Sequence, residues 1–193
     1  GRLVKMNTDT TKRGKGLSRV LLPLAMTFGF NVSQAAEIVY STWTTNEFGS
    51  GNYILTIDDQ TSGRFGYELT VNPWNAEALG LFIDLGDNDI TSQTLYDVSP
   101  ADEVELFAYD TTSDNCGAGC NLNGLDPTIP TPDGEWELVF RLGDQGYDGI
   151  QTFSWETDDF ELSLDDFGLV GIRAQQYCTG ENLPPPAPTV PEP

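Results

Sequence analysis

The sequence predicts an all-β fold, a single antiparallel β-sandwich of jelly-roll type. Three observations lead there. Apolar residues recur with period two, clusters of Gly, Asp and Asn separate the alternating runs, and no stretch carries a helical period with caps. With 38% hydrophobic and 11% aromatic residues, the 193-residue chain has enough apolar surface to bury a core, and disorder is not expected.

The elements follow in order. A first strand is expected over residues 38–44. Tyr53, Leu55 and Ile57 then share one strand face, and Phe65, Tyr67, Leu69 and Val71 share the next, with Glu68 and Thr70 pointing the other way. Residues 58–63, Asp-Asp-Gln-Thr-Ser-Gly, suit the hairpin loop between them. Further strands are expected over 79–85, 104–109, 136–142 and 150–156, and a last one over 169–175. One helical turn is expected at 164–167. Trp136, Phe140, Phe153, Trp155, Leu81, Ile83 and Phe65 form the expected core. No internal repeat of fixed period is present, which argues against a propeller or β-helix. Residues 110–135, rich in Pro, Gly, Asn and Asp, break the strand rhythm as one long insertion.

Charge narrows the function. Thirty acids oppose nine basic residues, a formal −21, and histidine is absent. Such a polyanion is repelled by nucleic acids and anionic lipid headgroups, because phosphate binding requires clustered Lys and Arg. Neither is an expected partner. Without imidazole there is no Ser-His-Asp or Cys-His catalysis and no His-containing metal site.

The charge is also unevenly placed. Residues 1–36 hold six basic residues and one acid; the remainder carries 29 acids against three arginines, a formal −26, with no lysine. The basic stretch leads into the apolar run of residues 20–30 and then small residues ending at Ala35 and Ala36. That order is the plan of a secretory signal peptide, and the run is shorter than the about 20 residues needed to span a bilayer. Met6 is the expected initiator, residues 1–5 being upstream read-through that contributes nothing to the fold. Cleavage after Ala35 or Ala36 gives the expected division: residues 1–36 leader with its upstream residues, 37–180 the β-sandwich, and 181–193 a Pro-rich spacer.

Export to an oxidising compartment sets the expectation for the cysteines. Cys116 and Cys120 bracket a Cys-Gly-Ala-Gly-Cys loop, and a local disulfide is expected there. Cys178 is then an odd thiol, or takes one of the loop cysteines instead.

The spacer gives the most specific signal. Residues 184–193, Pro-Pro-Pro-Ala-Pro-Thr-Val-Pro-Glu-Pro, favour an extended polyproline conformation that cannot join a sheet. Its end, Val190-Pro191-Glu192-Pro193, resembles the opening of the bacterial PEP-CTERM sorting signal. In that family the motif precedes a hydrophobic helix and a short basic tail, and an exosortase handles the segment during delivery to the cell surface. The resemblance implies that such a helix and tail follow Pro193 in the gene. It also implies an exosortase-type partner and a Gram-negative cell surface or exopolysaccharide matrix as the setting. Residues 138–150, 152–155, 162–167 and 170–175 look like the end of the β-sandwich ectodomain common in such proteins. That likeness carries no catalytic signature and supplies no active-site residues.

Candidate ligand sites are few. Ca²⁺ takes oxygen ligands and needs neither His nor Cys; Asp84, Asp87 and Asp89, with Asn88, crowd one turn at a strand end and are the candidate ligands, although they do not match an EF-hand loop. Asp110, Asp114 and Asn115 form a further polar cluster. For sugar stacking Trp74, in Val-Asn-Pro-Trp-Asn, is best placed among Trp43, Trp74 and Tyr147, against the commoner fate of a tryptophan in a sandwich, which is burial. A glycoside hydrolase needs two carboxylates about 5–10 Å apart, and among 29 acids the sequence nominates no pair. The expected function is therefore structural or adhesive, without catalysis, with exopolysaccharide as an expected partner. The competing class is a carbohydrate-binding module or carboxylate-based glycoside hydrolase.

Overall fold

The computed structural model describes residues 2–6, 36–45, 51–122 and 131–175, the first of these as backbone alone. Among the described residues eleven strands run in chain order: β1 Arg2–Met6, β2 Glu37–Tyr40, β3 Trp43–Thr45, β4 Tyr53–Asp58, β5 Arg64–Val71, β6 Glu77–Ile83, β7 Tyr96–Ser99, β8 Val104–Thr111, β9 Trp136–Leu142, β10 Thr152–Asp158 and β11 Val170–Gln175. The expected helical turn is the short 3-10 segment Leu164–Asp166. The strands form two antiparallel sheets packed face to face, an all-β sandwich. One has the order β3-β1-β11-β6-β9-β8 and the other β2-β4-β5-β10-β7.

The main core lies between the sheets. Leu55, Ile57, Phe65, Tyr67 and Leu69 of one sheet meet Leu81, Ile83, Leu138, Phe140 and Ile172 of the other. Trp155 of β10 stacks on Tyr67 at 5.2 Å between ring centroids and lies 5.0 Å from Phe140. Such ring pairs add about 0.5–1.5 kcal/mol each beyond the area they bury. On the outer face of the five-stranded sheet, alternation places Glu68 in solvent and Thr70 and Thr152 opposite one another, their hydroxyls 2.7 Å apart.

The six-stranded sheet departs from the simple alternating pattern. All seven residues of β6 are buried, because a second apolar cluster covers its outer face: Leu79, Phe82, Cys116, Cys120, Leu122, Trp136 and Val139. Trp136, expected in the main core, belongs to this outer cluster and sets its ring edge-on to Phe82 at 5.7 Å. The pairing of β6 with β11 slips between Gly80↔Arg173 and Ala78↔Ala174, leaving Leu79 as the extra residue of a bulge. The slip lets Ala78 stay in the main core while Leu79 joins the outer cluster.

Three further departures concern strand assignment. The single strand expected over 38–44 is two, β2 in one sheet and β3 in the other, the chain crossing between sheets at Ser41 and Thr42. β7 has no counterpart among the expected strands; its Tyr-Asp-Val-Ser sequence is short, lies at a sheet edge and holds Asp97 at φ 49°. Arg2–Met6, expected to lie outside the fold, pairs with both β11 and β3. The leader proper, residues 7–35, lies outside the described residues, as do Cys178, the Pro-rich spacer and the sorting motif.

Candidate functional site

The segment after β8 shows how the outer face is closed. Cys116 and Cys120 form a disulfide, both fully buried, in a loop held by hydrogen bonds from Cys116 N–H to the Cys120 carbonyl (2.9 Å) and from Cys120 N–H to the Gly117 carbonyl (3.0 Å). Gly117 and Gly119 take φ of +103° and +69°, a region that side chains other than glycine rarely enter, as the sequence pattern implies. Arg141 of β9 donates to the Ala118 carbonyl at 2.9 Å and steadies the loop tip. Beneath the loop sits Gly80 of β6. A Cβ at that position would lie 2.6 Å from each sulfur, so the disulfide seats directly on the strand only because residue 80 has no side chain.

Beyond residues 123–130, which lie outside the described residues, the chain re-enters the sheet through Thr131-Pro-Asp-Gly-Glu135. Asp133 Oδ1 accepts the Glu135 N–H (3.0 Å) and the Thr131 hydroxyl (3.3 Å), and the Gly134 N–H donates to the Thr131 carbonyl (3.3 Å), which closes the turn. Asp133, Glu135 and Glu137 then follow at every second residue. The turn, with Gly134 at φ +83°, and the start of β9 at Trp136 together bring carboxylate oxygens of the three side chains within 4.8 Å of one another. They are graded in burial: Asp133 is exposed, Glu135 half-buried, and Glu137 is 1% exposed. Glu137 Oε2 accepts the N–H of Leu85, just past the end of β6, while its Oε1 is buried with no hydrogen-bond partner. Burial pushes the Glu137 carboxyl up to about 8; the Leu85 N–H opposes the rise, and the charges of Asp133 and Asp84 add to it.

A second buried acid lies at the other end of β6. Glu77 is fully buried, its Oε1 accepting the Gly149 N–H at 2.9 Å. Asp148 lies near it, and its own oxygens accept the N–H groups of Ile150 (2.8 Å) and Asp144 (3.3 Å). Burial pushes Glu77 up to about 7, partly offset by the Gly149 N–H, with the Asp148 charge adding to the rise. Burial also raises Asp148. At neutral pH this pair therefore holds more proton than two ordinary carboxylates would.

The aspartates nominated from sequence are dispersed by comparison. Asp84 is buried and committed to the backbone: Oδ1 accepts the Gly86 N–H (2.8 Å) and Oδ2 the Leu169 N–H (3.1 Å). Asp87 and Asp89 are exposed, and the structure does not gather the three carboxylates into one group. Asp110, at the end of β8, accepts the Ile90 N–H with both oxygens. Trp74 is half-buried against the main core. Trp43 also packs there, its Nε1–H donating to the Tyr53 carbonyl at 2.7 Å.

Sequence reasoning missed Asp133, Glu135, Glu137, Glu77, Asp148 and Gly80. For the first three a signal was present, acids at period two running into a strand. Glu77 and Asp148 had none, being brought together across 71 residues by the sheet. Neither a protein-family model, nor a curated protein, nor a solved structure matches this chain.

Proposed function

We propose that this chain is an exported structural or adhesive protein of a Gram-negative cell surface or exopolysaccharide matrix, delivered by an exosortase-type system and without catalytic activity of its own. The observation that carries this reading is the buried Cys116–Cys120 disulfide seated on Gly80. Disulfides persist in oxidising compartments, and this one closes the outer face of a central strand. It agrees with the leader pattern of residues 1–36 and with the Val190-Pro191-Glu192-Pro193 motif. The tryptophans add support over the sugar-binding and hydrolase classes: Trp136 and Trp155 are at most 2% exposed, and Trp43 and Trp74 pack against the core, which favours architecture over stacking platforms.

Fractionation of a Gram-negative host that carries an exosortase system tests the reading. The expected result is recovery from the surface or matrix fraction with Cys116–Cys120 oxidised and intact mass placing the new N-terminus near Glu37, a cleavage that takes β1 out from between β3 and β11. Recovery from the cytosol with residues 7–36 still attached and both thiols reduced overturns it. Sequencing the codons after Pro193 tests the sorting component separately: an apolar run of about 20 residues followed by Arg or Lys is expected, and its absence removes that component.

A further inference from the structure

We propose that Asp133, Glu135 and Glu137 form a binding site for a divalent cation, with Ca²⁺ the ion that their chemistry fits best. The first observation is convergence, three carboxylates whose oxygens lie within 4.8 Å of one another. Two oxygens each about 2.4 Å from a single Ca²⁺ are at most about 4.8 Å apart, so one ion can span the group. The second is Glu137 itself, 1% exposed, with Oε1 buried and without a hydrogen-bond partner while Oε2 is engaged by the Leu85 N–H. An anionic oxygen in that position is costly unless a charge meets it, and the two neighbouring carboxylates add to the cost.

Among the described side chains, two of the three arginines are engaged elsewhere. Past residue 36 there is no lysine, and there are three arginines. Arg64, on the other sheet, makes the described ion pairs, with Glu156 at 2.7 Å and Asp97 at 3.9 Å. Arg141 donates to the carbonyls of Gly143 and Ala118. Arg173 lies on β11 opposite Gly80, in the middle of β6, its buried Nε without a hydrogen-bond partner. A bound cation would balance the three acids and tie the 131–135 turn to β9 and, through Glu137 and the Leu85 N–H, to the end of β6. Ca²⁺ suits three carboxylates of graded exposure because it accepts six to eight oxygens in flexible geometry, whereas Mg²⁺ demands a near-ideal octahedron and keeps several waters. An affinity of about 10⁻⁴–10⁻³ M, common in extracellular modules, is sufficient for such a role.

Trp136 lies between Glu135 and Glu137 in sequence, so Tb³⁺ alone serves as the probe on the full chain, with luminescence excited through tryptophan. The expected result is a saturable Tb³⁺ signal that Ca²⁺ displaces, together with a higher Tm in Ca²⁺ than in EGTA. Both are lost in Glu137→Gln and in the double variant Asp133→Asn/Glu135→Gln, and both are retained in Asp87→Asn/Asp89→Asn. The double variant changes side chains outside the core, so it decides the matter if Glu137→Gln does not fold. No saturable signal in the wild-type chain, a signal that survives the double variant, or loss of signal in Asp87→Asn/Asp89→Asn each overturns the assignment.

Discussion

The two ends of β6 each meet a buried glutamate, and the surroundings treat the two acids differently. Glu77 opens the strand; Glu137 reaches the other end from β9 and accepts the Leu85 N–H. Each accepts one backbone N–H, and each keeps one oxygen without a conventional donor. What differs is the company. Glu77 has one neighbouring carboxylate, Asp148, whose charge adds to the rise that burial causes. Glu137 faces Asp133 and Glu135, with Asp84 contributing charge nearby, and one proton cannot neutralise so many acids. The two ends thus differ in how many carboxylates are brought beside the buried one: one at Glu77, and two at the proposed cation site of Glu137.

The largest effects should come from removing each acceptor. Glu77→Ala leaves the Gly149 N–H unpaired and Glu137→Ala leaves the Leu85 N–H unpaired, each costing about 1–3 kcal/mol and read as a lower urea midpoint. The stabilisation by Ca²⁺ over EGTA should persist in Glu77→Ala and vanish in Glu137→Ala. An equal Ca²⁺ response in the two variants would erase the distinction between the ends.

A smaller effect follows from the proton held at Glu77. Its carboxyl rises from an ordinary 4.5 to about 7 in the folded protein, so across that window the folded chain keeps a proton that the unfolded chain has released. Stability therefore falls as pH rises from about 4.5 through about 7, and is flat with respect to this group on either side. Among the described side chains, the groups facing it are Asp148 and Tyr147 of the β9–β10 loop, with Asp144 acting through Asp148; none of these is a cation that would reverse the sign. Glu77→Gln keeps an acceptor for Gly149 and can donate to Asp148, so it should flatten this part of the Tm–pH curve, measured in EGTA to keep cations out. An unchanged slope in Glu77→Gln would show that the proton resides elsewhere. The smallest effect is expected for Asp87→Asn/Asp89→Asn, within about 0.5 kcal/mol by urea unfolding, because both side chains are exposed.

Much of the sandwich was legible in the residues. Tyr53, Leu55 and Ile57, and then Phe65, Tyr67, Leu69 and Val71, alternate because one face of their sheet packs and the other meets solvent, and the structure buries these residues. The rule loses its force on β6, where Leu79 and Phe82 look outward into a cover supplied by Leu122 and the disulfide loop. It also misassigns Trp136, which a local pattern places with Leu138 but which the outer cluster claims. A change of sheet between Tyr40 and Trp43 leaves no mark in a run of β-prone residues, so two short strands read as one.

The sequence by itself determined the all-β class and the closeness of Cys116 to Cys120, because strand alternation and a four-residue spacing are local properties of the chain. Only the tertiary structure decided which acids are buried and which meet. Glu137 is engaged by an N–H 52 residues away and Glu77 by one 72 residues away. Burial of a carboxylate depends on what the fold lays over it, and those covering segments come from distant parts of the chain.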